Sequence, residues 1–279
     1  MKFKFIPRLS ASIVLVLLSG LPSAVSAQQV SVPATFHRQE HALSCEVATL
    51  KMALGVHGLN ITESELIAKL PFDATPKSGG VWGDPNQGFV GDIDGRMLID
   101  GYGVYWDPIA ALGDRYASAS VLQHGSPQQL ARAIAAGNSV IIWGYYGERA
   151  VYGWQTPAGQ PIHAMGGQHT RLVYGFDGPL DAPTRFYLLD PLSGRLSWST
   201  TELMRNWSSL HHMGVVVAAH PRWVRVPGDA KIWEIDSKKN TRRWVTTWNT
   251  FTKRGGSPPA VTDVTRAALL QYASGLPII

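Results

Sequence analysis

Cys45 is the only cysteine among 279 residues, and it stands in the string Gln39-Glu40-His41-Ala42-Leu43-Ser44-Cys45-Glu46, directly ahead of an amphipathic stretch. A thiol at a helix N-terminus feels the partial positive charge of unsatisfied N–H groups, so this placement predicts a lowered pKa and a reactive thiolate. Gln39, six residues upstream, offers an amide able to donate to an oxyanion formed when the thiolate attacks a carbonyl. Taken alone, a single cysteine reads more readily as a small buried hydrophobe.

A nucleophilic thiol needs a base for its proton and a third group to orient that base. His169 opens the apolar run His169-Thr170-Arg171-Leu172-Val173-Tyr174-Gly175-Phe176-Asp177, and Asp190 closes Phe186-Tyr187-Leu188-Leu189 just before Pro191. If these runs are neighbouring antiparallel strands, the end of one lies beside the start of the other. Asp190 also suits a turn cap before Pro191, and Gln39 suits an ordinary surface amide. Among the nine histidines His163 is the nearest rival to His169, but residues 161–167 read as a loop rather than a strand start. His37 and His41 read as solvated or local polar contacts, and no Cys or His spacing resembles a zinc site.

Three strings carry a family resemblance: residues 39–45, the histidine whose strand ends Gly175-Phe176-Asp177, and the strand ending Asp190-Pro191 with a turn at Gly194. Together they resemble the bacteriocin-processing (double-glycine-type) family-39 cysteine peptidases, especially their stand-alone secreted relatives. Trp82-Gly83-Asp84-Pro85 and Gly88-Phe89-Val90-Gly91 look like an insertion of those relatives, so the resemblance covers roughly residues 33–221. It implies a papain-like fold with Cys45 as nucleophile, His169 as base, Asp190 as orienter, and Gln39 with the Cys45 N–H as oxyanion hole. Neither metal nor other cofactor is implied. Where many members carry glycine after the cysteine this chain has Glu46, an extra negative charge in the first helical turn.

The elements that must position these residues are legible in outline. Val47, Leu50, Met52 and Leu54 repeat at helical spacing behind Cys45, with a stop at His57-Gly58. Thr62-Glu63-Ser64-Glu65 is a capping box for a second helix that Pro71 ends, and Ser126-Pro127 starts a third that stops at Gly137-Asn138. Between them, residues 72–124 are rich in Gly, Asp, Pro and aromatics and read as a long ordered loop region. Asp92 and Asp94 there resemble the opening of a calcium loop whose third acid and closing glutamate are missing.

From Val140-Ile141-Ile142-Trp143 onward the pattern is β, with strands expected at 169–176, 185–189, 196–198 and 213–218 and a short helix capped at Ser199. Helices first and an antiparallel sheet second is an α+β arrangement. Of the ten tryptophans, Trp143, Trp198 and Trp207 belong to apolar runs, whereas Trp82, Trp106 and Trp154 read as loop aromatics.

Lys2, Lys4 and Arg8 ahead of an apolar run at 13–18 and Val25-Ser26-Ala27 have the layout of a secretory signal peptide, with cleavage expected after Ala27. The remaining chain carries 22 basic and 20 acidic side chains, so the high pI gives no reason to expect nucleic acid. No later segment approaches the ~20 apolar residues of a membrane span. Charge divides near Arg222: residues 28–221 sum to −4 and residues 222–279 to +6. The basic extension reads as a solvated face or a weak contact with an anionic cell envelope, with short strands near 232–235 and 243–245 and a helix near 264–272. The expected function is peptide or protein hydrolysis outside the cytoplasm. A cell-wall amidase or acyl transferase would use the same residues, and a non-catalytic binding module would have an unreactive thiol.

Overall fold

A computed structural model describes residues 29–236 and 239–279, so the expected signal peptide lies outside the described residues. Strand β1 (Val30–Ser31) leads through the Gln39 segment into helices α1 (Cys45–Val56) and α2 (Glu63–Ile67). The capping box of α2 forms as its sequence predicts, with Thr62 and Glu65 each holding the other's backbone N–H. Residues 72–124 hold more regular structure than their composition suggests. They form β2 (Phe72–Asp73), β3 (Phe89–Gly91), β4 (Gly101–Gly103), α3 (Trp106–Gly113) and β5 (Ser118–Leu122). Helix α3 lacks a polar cap and carries Pro108 in its first turn, yet it buries Ile109, Ala110 and Leu112, so packing wins over weak end signals.

Helix α4 (Pro127–Ala135) precedes β6 (Ser139–Gln155), β7 (Pro161–Asp177), β8 (Arg185–Asp190), β9 (Gly194–Ser199), α5 (Thr200–Trp207) and β10 (Gly214–Ala218). These strands build an antiparallel sheet in the order β5-β10-β6-β7-β8-β9, with β1 added against β7. The sheet is covered on both faces, which explains why β6 begins as a continuous apolar run. Ile141 and Trp143 point toward Val47, Leu50 and Leu54 of α1, while Val140 and Ile142 point toward Leu130 and Ile134 of α4 and Leu203 and Trp207 of α5. The layout is α+β, as expected.

Strands β6 and β7 run well past their apolar halves. They pair again from Ala150↔Gly166 to Gln155↔Pro161 after a register shift between Tyr145 and Ala150. His163 therefore lies on a strand rather than in the loop expected for residues 161–167, exposed and with its ring 5.2 Å from that of His211. Trp154 is likewise on a strand, and it packs against Trp82 at 5.2 Å, so both are buried rather than displayed.

The C-terminal residues form a sheet of their own. Strands β11 (Trp223–Arg225), β12 (Ile232–Asp236), β13 (Thr241–Val245), β14 (Val261–Asp263) and β15 (Ala273–Ser274) order as β14-β11-β12-β13-β15, with helices α6 (Trp248–Lys253) and α7 (Arg266–Leu270) beside them. Trp223, Val245 and Phe251 make one small core there, and Val224, Ile235 and Leu269 another. Among the described residues no helix is long and apolar enough to cross a membrane.

Candidate active site

Cys45 is the first residue of α1, where its own N–H has no intrahelical acceptor. The helix is held to the sheet at this point by the Thr49 hydroxyl, which donates to the Cys45 carbonyl at 2.7 Å and lies 3.0 Å from the Thr170 hydroxyl on β7. Thr170 immediately follows His169, so one short bridge carries the helix start to the histidine strand. Continuing the Leu172↔Leu189 register of β7 and β8 sets Asp190 beside Arg171, with His169 two residues along the same face.

His169 Nε2 donates to Asp190 Oδ1 at 3.0 Å, and Arg171 Nε donates to Asp190 Oδ2 at 2.8 Å. Asp190 Oδ1 also accepts from the backbone N–H groups of Leu192 (2.8 Å) and Ser193 (3.0 Å). Asp190 thus hydrogen-bonds both the turn that follows it and the imidazole. Burial alone would raise its carboxyl, but the His169 hydrogen bond, the charges of His169 and Arg171 and the Ser193 N–H outweigh it and hold Asp190 far below the usual carboxylate range. Arg171 is itself fixed by Tyr145 and Asn206 and stacks over Trp198 at 4.7 Å. Its spacing of two from His169 was the available signal for this role, since alternate strand residues share a face.

The thiol departs from the sequence expectation. Cys45 is 4% exposed, and its Sγ donates to Glu46 Oε2 at 3.3 Å, with no hydrogen bond to His169. Burial, followed by the negative charge of Glu46, pushes the thiol well above its ordinary pKa, and hydrogen bonding from Thr170 only partly opposes this. The expected lowering by the helix N-terminus is overturned because a helix end is worth only ~0.3–1 kcal/mol, less than the desolvation of a buried thiolate beside a like charge. Burial also lowers His169 despite Asp190, so the resting pair is a thiol and a neutral imidazole. With Nε2 committed to Asp190, Nδ1 is the imidazole nitrogen that the carboxylate does not engage.

Glu46 is wholly buried. Its Oε1 accepts the Val104 N–H at 2.9 Å, and burial, only partly countered by hydrogen bonds, raises its pKa to about 7. Gly103 makes room for this carboxyl, since a Cβ there would collide with the Glu46 and Gln168 side-chain oxygens. Gln168, the residue before His169, is a buried amide on this same side of the strand that the sequence did not single out.

Gln39 is tied to the site by its backbone, whose N–H donates to the Pro191 carbonyl at 3.1 Å. Its side-chain Nε2 is spent on the carbonyls of His41 (2.8 Å) and Ala42 (2.9 Å), and its buried Oε1 has no partner. The amide is therefore near the site but turned inward. His37 and Glu40 flank it and, with buried Glu63, form a group whose ligand-type atoms lie within 4.8 Å of one another. Glu63 already accepts from His37 Nε2 at 2.8 Å and from the Glu40 N–H, so the three brace the segment. His41 pairs locally with Asp94 at 3.0 Å. Above His169 sits Tyr146, 49% exposed, its ring edge-on to the imidazole at 5.5 Å.

A model of the Peptidase_C39 like family matches residues 31–215. The uncharacterised protein YvpB of Bacillus subtilis is 29% identical over 179 residues, which span 62% of this chain and 68% of the relative. A crystal structure of a C39-like peptidase from Bacillus anthracis superposes with a TM-score of 0.60 at 23% identity, covering 69% of this chain and 98% of that one, and so shares the fold. A double glycine motif protease from an AMS/PCAT transporter aligns at a TM-score of only 0.40 with 12% identity over 68% of this chain and 95% of its own, too distant to argue from.

Proposed function

The chain belongs to the Peptidase_C39 like family, and we propose that it is an exported cysteine peptidase acting through Cys45, His169 and Asp190. The observation that carries this reading is the buried His169–Asp190 hydrogen bond at 3.0 Å, on the strand that Thr170 links to the helix start of Cys45. In the proposed reaction His169 Nδ1 takes the thiol proton, and the sulfur attacks the peptide carbonyl carbon. The carbonyl π electrons move to oxygen, facing the Cys45 N–H and, once it turns from its backbone partners, Gln39 Nε2. Collapse of this intermediate breaks the C–N bond, the amine leaves with the proton from His169, and water activated by the same imidazole hydrolyses the thioester.

Glu46 sets a condition on this sequence. Its anion holds the Sγ–H and opposes a thiolate beside it, whereas its neutral acid does neither. Activity therefore declines as pH rises through the Glu46 pKa of about 7. Cys45 and His169 are only 4% and 3% exposed in the resting arrangement, so a substrate reaches them only when covering side chains move, Tyr146 beside His169 among them. Export is supported by the basic, apolar and small-residue layout of residues 1–27.

The test is incubation of the purified chain with unstructured casein and, separately, with purified peptidoglycan. New casein N-termini that vanish with Cys45→Ala support the peptidase. Activity confined to peptidoglycan would replace it with an amidase or transferase, and activity that survives Cys45→Ala would remove the thiol from the chemistry.

A further inference from the structure

Three arginines converge on one buried carboxylate in the C-terminal sheet, outside the triad. Glu234 on β12 accepts at Oε1 from Arg222 Nε (3.0 Å), Arg222 Nη2 (2.7 Å) and Arg254 Nη2 (3.1 Å). Its Oε2 accepts from Arg243 Nη2 (3.1 Å), Arg254 Nε (3.2 Å) and Arg254 Nη2 (2.9 Å). A carboxylate has about four lone-pair directions, and these contacts exhaust them. Each guanidinium carries five N–H groups in a rigid fork, so most of the donors remain uncommitted to Glu234.

The arrangement exceeds what a buried glutamate needs. One fork neutralises the charge, yet two further cations are held beside it against their mutual repulsion. Arg243 stands directly opposite Glu234 in the β12–β13 register, and Arg222 is stacked over Trp223 at 4.7 Å. The guanidiniums line a cavity of about 340 Å³ that also includes His220 and Asp236. The arginine side chains are 53% (Arg222), 41% (Arg243) and 37% (Arg254) exposed, so the cations face solvent while the anion beneath is covered. Asp236 offsets one charge and is itself paired with Lys239 at 3.7 Å. The local balance is therefore positive, within an extension whose net charge is +6.

We propose that the Arg222–Arg243–Arg254 cavity is a binding site for a phosphate monoester, the tetrahedral dianion that planar guanidinium forks engage through paired N–H···O bonds. The site is independent of the hydrolytic reading, since it lies on the C-terminal sheet, whereas Cys45 starts helix α1 and His169 and Asp190 lie on the other sheet. Glu234 beneath it acts as the spacer that holds the forks apart and aims their free edges outward.

The experiment titrates the full chain with glycerol 3-phosphate by calorimetry at constant ionic strength, with chloride as the control anion. Saturable binding of one equivalent is expected, weakened by about tenfold or more in Arg222→Ala and in Arg243→Ala. Arg225→Ala, which removes an arginine paired with Asp263 away from the cavity, is expected to leave it unchanged. Arg222→Lys, which keeps the charge and loses the fork, provides a second variant should the alanine variants unfold, and is expected to weaken binding too. Absence of saturable binding, or equal weakening by Arg225→Ala, would overturn the proposal and leave the three arginines as a brace for Glu234. Vesicles of phosphatidic acid in phosphatidylcholine separate the sources. Tighter binding to them than to glycerol 3-phosphate, lost in the same variants, assigns a lipid headgroup, and equal affinity assigns a soluble monoester.

Discussion

Replacing Glu46 by glutamine removes a charge and keeps the shape, and its consequence for stability follows from the burial of that one carboxyl. In the folded chain the group titrates at about 7 instead of its ordinary 4.5, so the folded state holds the proton more tightly than the unfolded state does. Stability from this source is complete below the ordinary value and drains away as pH rises through about 7. The displacement amounts to about 3 kcal/mol. His169, whose pKa burial lowers, works in the opposite sense across part of the same window, so the informative quantity is the difference between wild type and Glu46→Gln. Urea unfolding followed by far-ultraviolet circular dichroism between pH 4 and pH 8 measures it. The wild type is expected to lose about 3 kcal/mol relative to the variant over that range, with the divergence centred between the two values. Parallel stability curves would refute the reasoning, because they would mean that Glu46 meets water or a cation when ionised.

Other outcomes follow from the same contacts. Gly103→Ala, which drives a Cβ into the Glu46 and Gln168 oxygens at a residue with φ of +130°, is expected to destabilise by about 1–3 kcal/mol in the same unfolding assay and to shrink the pH dependence assigned to Glu46. Asp190→Asn leaves Arg171 buried without its carboxylate and is expected to lower stability by about 3 kcal/mol at pH 7, as well as abolishing casein cleavage. Trp207→Ala, at a fully buried ring whose Nε1 donates to the Met213 carbonyl at 2.8 Å, is expected to cost about 3–5 kcal/mol while leaving Cys45, His169 and Asp190 in place, read as a lower melting temperature with residual cleavage by the folded fraction.

The residues of the proposed triad could be singled out because each sits at a boundary that local chemistry marks: Cys45 where an apolar helical period starts, His169 at the head of a β-patterned run, Asp190 at the residue before Pro191. The α+β layout followed from the same periodicities. Less visible was anything decided by contacts distant in sequence. Arg171 became the second partner of Asp190 only through strand pairing, and Glu63 reached His37 across 26 residues. Helix α3 was hidden because its stability comes from burial of its apolar face rather than from caps, and strand β5 because it is defined by pairing with β10 at the end of the sheet, with no residue of its own buried. The depressed thiol pKa expected from the helix start failed for a related reason: the helix end is a local feature, whereas the desolvation that raises Cys45 is a property of the assembled core.

The central claim is that Cys45 is a nucleophile served by His169. It is tested most directly by the rate at which a peptidyl vinyl sulfone, an electrophile that requires both a thiolate and a proton returned from the imidazole, labels Cys45. Intact-mass measurement of the full chain reads the label. One adduct per chain, on Cys45, formed faster near pH 6.5 than near pH 8.5 and lost in His169→Ala, is the expected result. Labelling at an equal rate in wild type and His169→Ala, or no labelling of the folded wild type, would contradict it.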